Sequence, residues 1–389
     1  MTRNFSDINT VFLVCAGRAG SGFLQSMLDS HPEILMLPME LKFLDHWNRY
    51  CEGKNLDLDE ILKIWTKKSK ISSFKNGILY GIDSNEKFSN CNIEIYTKNL
   101  REILRRVGLS KKNVFYALHE AYAKSIDQDL NLIKIIVEFS ARSIEINQII
   151  KSFPNAKFIE VVRDPRANYI SSKNLILHSN KNLVLTNQNK FTNLLIRILK
   201  DLNTDYENMQ KNLYSRNKNR WLIIRHEEMH LNNIKTIKKL INWLQISFHP
   251  SLNESTLGGH QWKGNSSSGK SVLGVSRDLV NRWRSDITST EKNLIEFLFF
   301  NSFDYYSYNL EKPINKLTLK ILLTPIKGEF TLKTFKQIPT NRILKFFWKI
   351  HPRLVFIIRF ILINLLVSFI FYIQSRIWIL NHLQKYKIK

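Results

Sequence analysis

The chain has 389 residues, a formal net charge of +25 and 44% hydrophobic residues. Such a length allows one large domain with an appendage, and the ordinary apolar content excludes a disordered basic tail. The positive excess selects anionic partners such as nucleotides, acidic glycans or an anionic membrane surface, while the lack of an arginine-aromatic signature, zinc spacing or a basic zipper sets nucleic acid aside.

The first residues, MTRNFSDINT, lead straight into an apolar run and read as lacking a signal peptide. Val11 to Cys15 reads as a buried strand, which passes through the glycine-rich stretch AGRAGSG into a helix over Phe23–Leu28. Strand, glycine loop and helix in that order make an anion cradle, because backbone amides and the positive end of the helix dipole converge there. Gly17 and Gly22 have the glycine spacing of a nucleoside triphosphatase P-loop. Phe23 and Leu24 follow, however, where the phosphate-reaching lysine and the magnesium-binding hydroxyl would stand. Arg18 brings a fixed cation instead, and Ser21 a hydroxyl. This chemistry suits a transferred group that needs no metal, such as a sulfuryl group. Cys15, Cys51 and Cys91 are isolated, which argues against a disulfide framework and against a zinc site.

Further along, NLREILRRVGL, SIEINQIIKSF and IKTIKKLINWLQI carry apolar residues at helical spacing, whereas AKFIEVV (Ala156–Val162) and RWLIIR (Arg220–Arg225) read as strands. The alternation predicts an α/β fold, a P-loop-like parallel sheet flanked by helices, with ligands at the carboxyl ends of its strands. In VVRDPRANYISS, Arg163 ends a strand, Asp164 can cap the next helix and Pro165 suits its first turn. Ser171, about two helical turns beyond Arg163, can look back to the same strand end and complete a second anion site. The competing assignment for Arg163 is an ion pair with Asp164 or Glu160. Two anion sites at two strand ends describe a nucleotide with two separated phosphate groups.

After Tyr308 the prolines Pro313, Pro325 and Pro339 mark a connector. The expected organisation is a catalytic domain over 1–312, a connector over 313–342 and a basic, hydrophobic segment over 343–389. Leu354 to Ile373 is apolar for about the thickness of a bilayer, broken by Arg359 and flanked by basic residues. It predicts a C-terminal membrane-associating helix, spanning or in-plane, that holds the catalytic region at the cytoplasmic face of an anionic membrane. A buried core or interface helix is the other reading.

GRAGSGFL with MLDSHPE, followed by VVRDPRANYISS, resembles the two nucleotide signatures of the sulfotransferase family, which uses 3′-phosphoadenosine 5′-phosphosulfate. The resemblance implies that Arg18, Ala19, Gly20, Ser21, Gly22 and Phe23 wrap the 5′-phosphosulfate and that Arg163 and Ser171 hold the 3′-phosphate. PMELKFLDHW is similar to the E-x-[HK]-F-[FL]-D segment of heparan-type glycan sulfotransferases, which implies Glu40 as the catalytic base. IIRHEEM resembles the family's R-[YH]-E-[DE] strand end. HQWKGNSSSG resembles its late loop, which implies Trp262, Gly264 and Asn265 at the nucleotide. The likeness runs in order over about the first three hundred residues.

There are departures. Arg18 stands where the cytosolic branch has lysine, and arginine stabilises charge without donating a proton. VEFSAR stands where glycan sulfotransferases often read E-K-[ST]-[PA], so Phe139 replaces a lysine and Arg142 is the candidate substitute. Lys42 and His46 are candidate acceptor contacts, Arg18 joins the catalytic group through the leaving phosphate, and His119 and Glu120 form a polar pair with no assigned task. The implied reaction is metal-free sulfuryl transfer to a hydroxyl or amine of a glycan or glycolipid. The alternatives are a P-loop kinase-like nucleotide-binding protein and a catalytically inactive relative that binds membrane or glycan.

Overall fold

Asn9–Cys15 (β1) is buried along its whole length after the first residue, the pattern of a strand covered on both faces. It lies in a five-stranded sheet with β2 (Ile34–Met36), β3 (Ile135–Phe139), β4 (Lys157–Val162) and β5 (Trp221–Arg225). The order is β2-β3-β1-β4-β5 and every pairing is parallel. The computed structural model describes residues 5–75, 91–139, 143–179, 188–214, 218–264, 272–310, 373–374, 376–379 and 381.

Helix α1 (Ser21–Leu28) follows β1, and α2 (Phe43–Tyr50), α3 (Leu58–Lys63), α4 (Ile93–Val107) and α5 (Lys111–Ser125) lie between β2 and β3. Helix α6 (Ile146–Ser152) precedes β4, and α7 (Pro165–Ser179) and α8 (Gln188–Tyr214) precede β5. After β5 come α9 (His226–Leu231), α10 (Asn233–Leu244), α11 (Asp278–Asn281), α12 (Ser289–Leu298) and α13 (Phe300–Tyr305). The chain leaves β1 for one edge of the sheet and returns through β4 to the other. The strand order therefore reverses at β1, and the carboxyl ends of the strands beside such a switch point are where open parallel sheets generally bind ligands.

Alternation along β1 gives the sheet two chemically different faces. Val11, Leu13 and Cys15 join Ile159, Val161 and Ile224 against Leu24 and Met27 of α1 and Ile237 and Leu240 of α10, an aliphatic layer. Phe12 points the other way, 5.3 Å from the Phe153 ring, 5.9 Å from Phe115 and 6.2 Å from Phe158. Phe43 of α2 extends this aromatic layer to Phe115 and Trp65. Buried Asp29, just past α1, accepts from Thr256 Oγ1 and from the Gly258 and Gly259 amides at 2.9–3.1 Å. This tie fixes the β6 (Thr256–Leu257) and β7 (His260–Gln261) hairpin beside α1.

By contact the chain divides into two units, Met1–Arg163 with Asp205–Asn281, and Asp164–Thr204 with Arg282–Lys389. The first contains the whole sheet. The second is organised by buried ion pairs. Arg166 donates to both oxygens of Asp164 and, at 2.6 Å, to Glu296, with its guanidinium over the rings of Trp283 and Phe303. Lys173 meets Glu291 at 2.5 Å.

Two features of the sequence reading need correction. Helix α1 begins at Ser21, not Phe23, because left-handed Gly20 already turns the chain. Strands β2 and β3 were not expected from local pattern. Among the described residues no helix is long and apolar enough to cross a membrane. The connector over 313–342 and the apolar stretch up to residue 372 lie outside the described residues.

Candidate active site

Ala16 to Gly20 connect β1 to α1, closed by a 3.1 Å bond from the Ala19 amide to the Ala16 carbonyl. Arg18 (φ 66°) and Gly20 (φ 95°) are both left-handed. For Arg18 that conformation costs about 1 kcal/mol, a local strain of the kind that collects at ligand sites. Gly20 is the helix N-cap and has no side chain with which to cap the leading amides. The Phe23 and Leu24 amides turn to the Gly20 carbonyl, while those of Ser21 and Gly22, in the first turn of α1, have no intrahelical acceptor and are the donors that a helix start offers to an anion. Ser21 Oγ accepts from the Cys15 thiol at 3.1 Å, which leaves the serine's own hydrogen for another partner. Burial pushes that thiol up to about 12, so it stays protonated.

Arg163 follows β4, the neighbour of β1. Its Nη1 donates to the Arg18 carbonyl at 3.3 Å, and its own carbonyl accepts from the Tyr206 hydroxyl. Two sequence stretches read separately as anion sites thus meet in space. Asp164 caps α7 through the Arg166 amide and gives both carboxylate oxygens to the Arg166 side chain. Ser171 stands on α7, within the second unit.

Sequence reasoning met His226 only as part of the IIRHEEM strand end, with no role, and did not single out His230. His226 is buried, and a Cβ placed on Gly20 would lie 2.2 Å from its Nδ1. That nitrogen has no hydrogen-bond partner among the described residues. The His230 ring lies 4.6 Å from His226 and stacks on Phe23 at 4.5 Å. Burial, reinforced by the positive charge of Arg163, holds His226 well below its usual range and His230 down to about 4. Both imidazoles are therefore neutral at pH 7, and His226 offers the loop a polar atom without a charge. In the unfolded chain each would titrate near 6.5. Their contribution to stability is therefore complete above about pH 6.5 and is lost as the pH falls towards the folded values. His230 alone accounts for about 3 kcal/mol. The melting temperature should drop steeply between pH 6.5 and 4.5, and a flat midpoint over that range would show that these rings are solvated.

Glu40 lies in the segment between β2 and α2, which is held to α1 by a 3.1 Å bond from Gln25 Nε2 to the Leu37 carbonyl. Its carboxylate is 19% exposed and pairs with Lys42 at 3.5 Å and Lys70 at 3.4 Å. Lys42, the residue before α2, is left-handed at φ 52°. The structure thus brings Lys42 to Glu40 and adds Lys70, which no motif marked. His46 is instead buried between the rings of Tyr50 and Trp65, where burial lowers its pKa. The late loop reaches the first one: the Trp262 indole lies 3.5 Å from where a Gly22 Cβ would be, and Gly264 is left-handed at φ 80°. Arg142 and Asn265 lie outside the described residues.

One expected pair is wrong. Glu120 binds Arg106 and Lys124, whereas His119 faces Glu138 of β3. Beyond His230 a cleft of about 720 Å³ opens along α10, where Lys235, Lys238 and Arg277 add positive charge. Among the described residues no group of three or more His, Cys, Asp or Glu side chains could hold a metal ion.

Residues 10–250 match the family model described as "Sulfotransferase family". Among solved structures, the chain is similar to a sulfotransferase domain from the Synechococcus PCC 7002 olefin synthase. The identity is 14%, 80% of this chain and 98% of that one are covered, and the TM-score is 0.47. A sulfotransferase domain from the curacin biosynthetic pathway shares 19% identity over 78% of this chain and 99% of its own, with a TM-score of 0.46. A Mycobacterium avium sulfotransferase shares 13% over 78% of each chain, with a TM-score of 0.39. No curated protein matches. The family match spans more than half of the chain and carries the classification.

Proposed function

The chain belongs to the sulfotransferase family, and on that premise we propose that it moves a sulfuryl group from 3′-phosphoadenosine 5′-phosphosulfate to a hydroxyl or amine of a glycan or glycolipid, with Glu40 as the base. The observation that supports this reading is the bond from Arg163 to the backbone of Arg18, which joins, at adjacent strand ends, the two stretches whose sequence reads as anion-binding. Arg18, Ser21 and the first amides of α1 would receive the 5′-phosphosulfate, and Arg163 the 3′-phosphate. His226 could share a hydrogen bond with the same anion at no cost in charge.

In the transfer, Glu40 takes the proton of the acceptor O–H while that oxygen bonds to sulfur. The bond between sulfur and the 5′-phosphate oxygen breaks, and the negative charge that develops on this oxygen is stabilised by Arg18 and the loop amides. Lys42 and Lys70, beside Glu40, suit an acceptor that carries acidic groups. The likeness of Pro38–Trp47 to heparan-type enzymes is what favours a glycan.

Calorimetric titration of the full chain with 3′-phosphoadenosine 5′-phosphate tests the donor. The expected result is binding that needs no metal, exceeds that of ATP with Mg²⁺ and weakens about 10- to 150-fold in Arg163→Ala, the worth of a charge-assisted hydrogen bond. A preference for ATP with Mg²⁺, or equal affinity in the variant, would overturn the reading.

A further inference from the structure

The cleft beyond His230 is not used by any step of the proposed transfer. Its lining residues come from the end of α9, the first two turns of α10 and the segment around Val275 and Arg277, all within the first unit. None of them is acidic. Lys235, Lys238 and Arg277 supply three cations, and none of the three has an ion-pair partner among the described residues. Asn232, the N-cap of α10, makes no side-chain cap, and the Thr236 amide is the one that turns back to the Asn232 carbonyl. The amides of Asn233, Ile234 and Lys235 are therefore without intrahelical acceptors at the positive end of a 12-residue helix.

His230 adds an independent demand for an acceptor. Its Nδ1 accepts from the Ser276 amide at 3.2 Å, so the neutral ring carries its hydrogen on Nε2. That nitrogen is buried in the wall of the cleft and has no hydrogen-bond partner among the described residues. A buried donor left unpaired is costly, and together with the helix amides and the three cations it calls for an anion.

The rim is of another kind. Ile234 is 72% exposed; Leu231 and Val275, which share the lining with the cations, are exposed too, as is Leu273 two residues before Val275. Large aliphatic side chains have no partner in a free phosphate or sulfate ion. Beside lysines they match a bilayer surface, where charged headgroups overlie apolar chains. The cleft, at about 720 Å³, also has the size of a site for a whole small molecule and not for one tetrahedral ion.

We propose that this cleft docks on an anionic lipid bilayer: a phosphate headgroup sits at the start of α10 among Lys235, Lys238 and Arg277, while Leu231, Ile234 and Val275 enter the apolar layer. The inference goes beyond the donor and base assignments and depends on neither. Each basic residue held near such a surface is worth roughly fivefold in affinity, and the attraction falls as salt rises.

Hydrogen exchange at the amides of Asn233, Ile234 and Lys235 in the full chain tests it, because these amides report on this surface whatever the apolar stretch Leu354–Ile373 does. Vesicles of phosphatidylcholine with phosphatidylglycerol should slow exchange there by about tenfold or more, whereas phosphatidylcholine alone, or inorganic phosphate, should change it by less than about threefold. The protection should be lost in the triple variant Lys235→Gln, Lys238→Gln and Arg277→Gln, three exposed positions, and reduced in Ile234→Ser. Affinity for 3′-phosphoadenosine 5′-phosphate should stay within about twofold of wild type in both variants, which keeps this test separate from that of the donor. Equal protection by inorganic phosphate or by neutral vesicles, or protection that survives the triple variant, would overturn the proposal. So would protection by soluble dextran sulfate with none by anionic vesicles, which would make the cleft a track for a sulfated polymer.

Discussion

Glu40→Gln should lower turnover by about 10²- to 10⁴-fold, the usual contribution of a general base, and leave the affinity for 3′-phosphoadenosine 5′-phosphate within about twofold. The change is nearly isosteric. Glutamine still offers an oxygen to Lys42 and Lys70, but it cannot take a proton from an attacking hydroxyl. The groups proposed to hold the donor lie elsewhere, on the loop after β1 and at the end of β4, so binding has no reason to follow turnover. The lysines bear on the argument too. At 42% and 54% exposure, Lys42 and Lys70 form pairs with Glu40 that contribute little to stability. They can therefore turn to acidic groups on an acceptor and leave the carboxylate ready for a proton. Equal turnover by wild type and variant would make Glu40 a spectator held by two surface lysines. Lost bisphosphate binding would mean instead that the β2–α2 segment supports the donor loop.

The parts of the site that could be read from the sequence are those written within one short stretch. The glycine loop, Arg163 at the end of AKFIEVV and Asp164 as a helix cap each declare themselves through local chemistry: a turn that needs glycine, an apolar run that stops at a cation, a carboxylate before proline. Strand β2 escaped because three residues make no pattern, and β3 because Glu138 interrupts an otherwise apolar IIVEF. That carboxylate looks like a surface residue until His119, from a distant helix, is seen beside it. The same limit hid what His226 does, since its meaning comes from Gly20, and it hid the contact with Gly22 made by Trp262, a residue that the resemblance alone had put at the nucleotide. His119 and Glu120 were read as a pair because they are adjacent in sequence, yet neighbours on a helix point in different directions, and each finds its partner elsewhere. Contacts between strand ends are set by sheet order, and no local period encodes that order.

Gly20→Ala should weaken bisphosphate binding by at least 100-fold, the second large effect expected, and Gly17→Ala should leave it within about twofold. The two glycines lie three residues apart in one loop, and the structure separates them sharply. A Cβ on Gly17 would meet nothing within 4 Å, whereas one on Gly20 would lie 2.2 Å from His226 Nδ1, 2.9 Å from Cγ and 3.0 Å from Cε1. Real Cβ atoms do not approach so closely, so either the loop or the imidazole must move. His226 is buried, with the His230 ring 4.6 Å away and Arg163 close enough to depress its pKa, and it has little room to retreat. The loop would yield, and with it the direction of the α1 amides. Alanine at φ 95° adds a backbone strain of roughly 1 kcal/mol. Gly22→Ala is the informative intermediate, since its Cβ would rest 3.5 Å from Trp262 in ordinary contact and should be tolerated. Adding His226→Ala to Gly20→Ala separates the two costs, because it removes the collision and leaves the strain. Partial recovery in that double variant would assign most of the loss to the imidazole. Undiminished binding in Gly20→Ala alone would mean that the amides at this turn do not hold the anion.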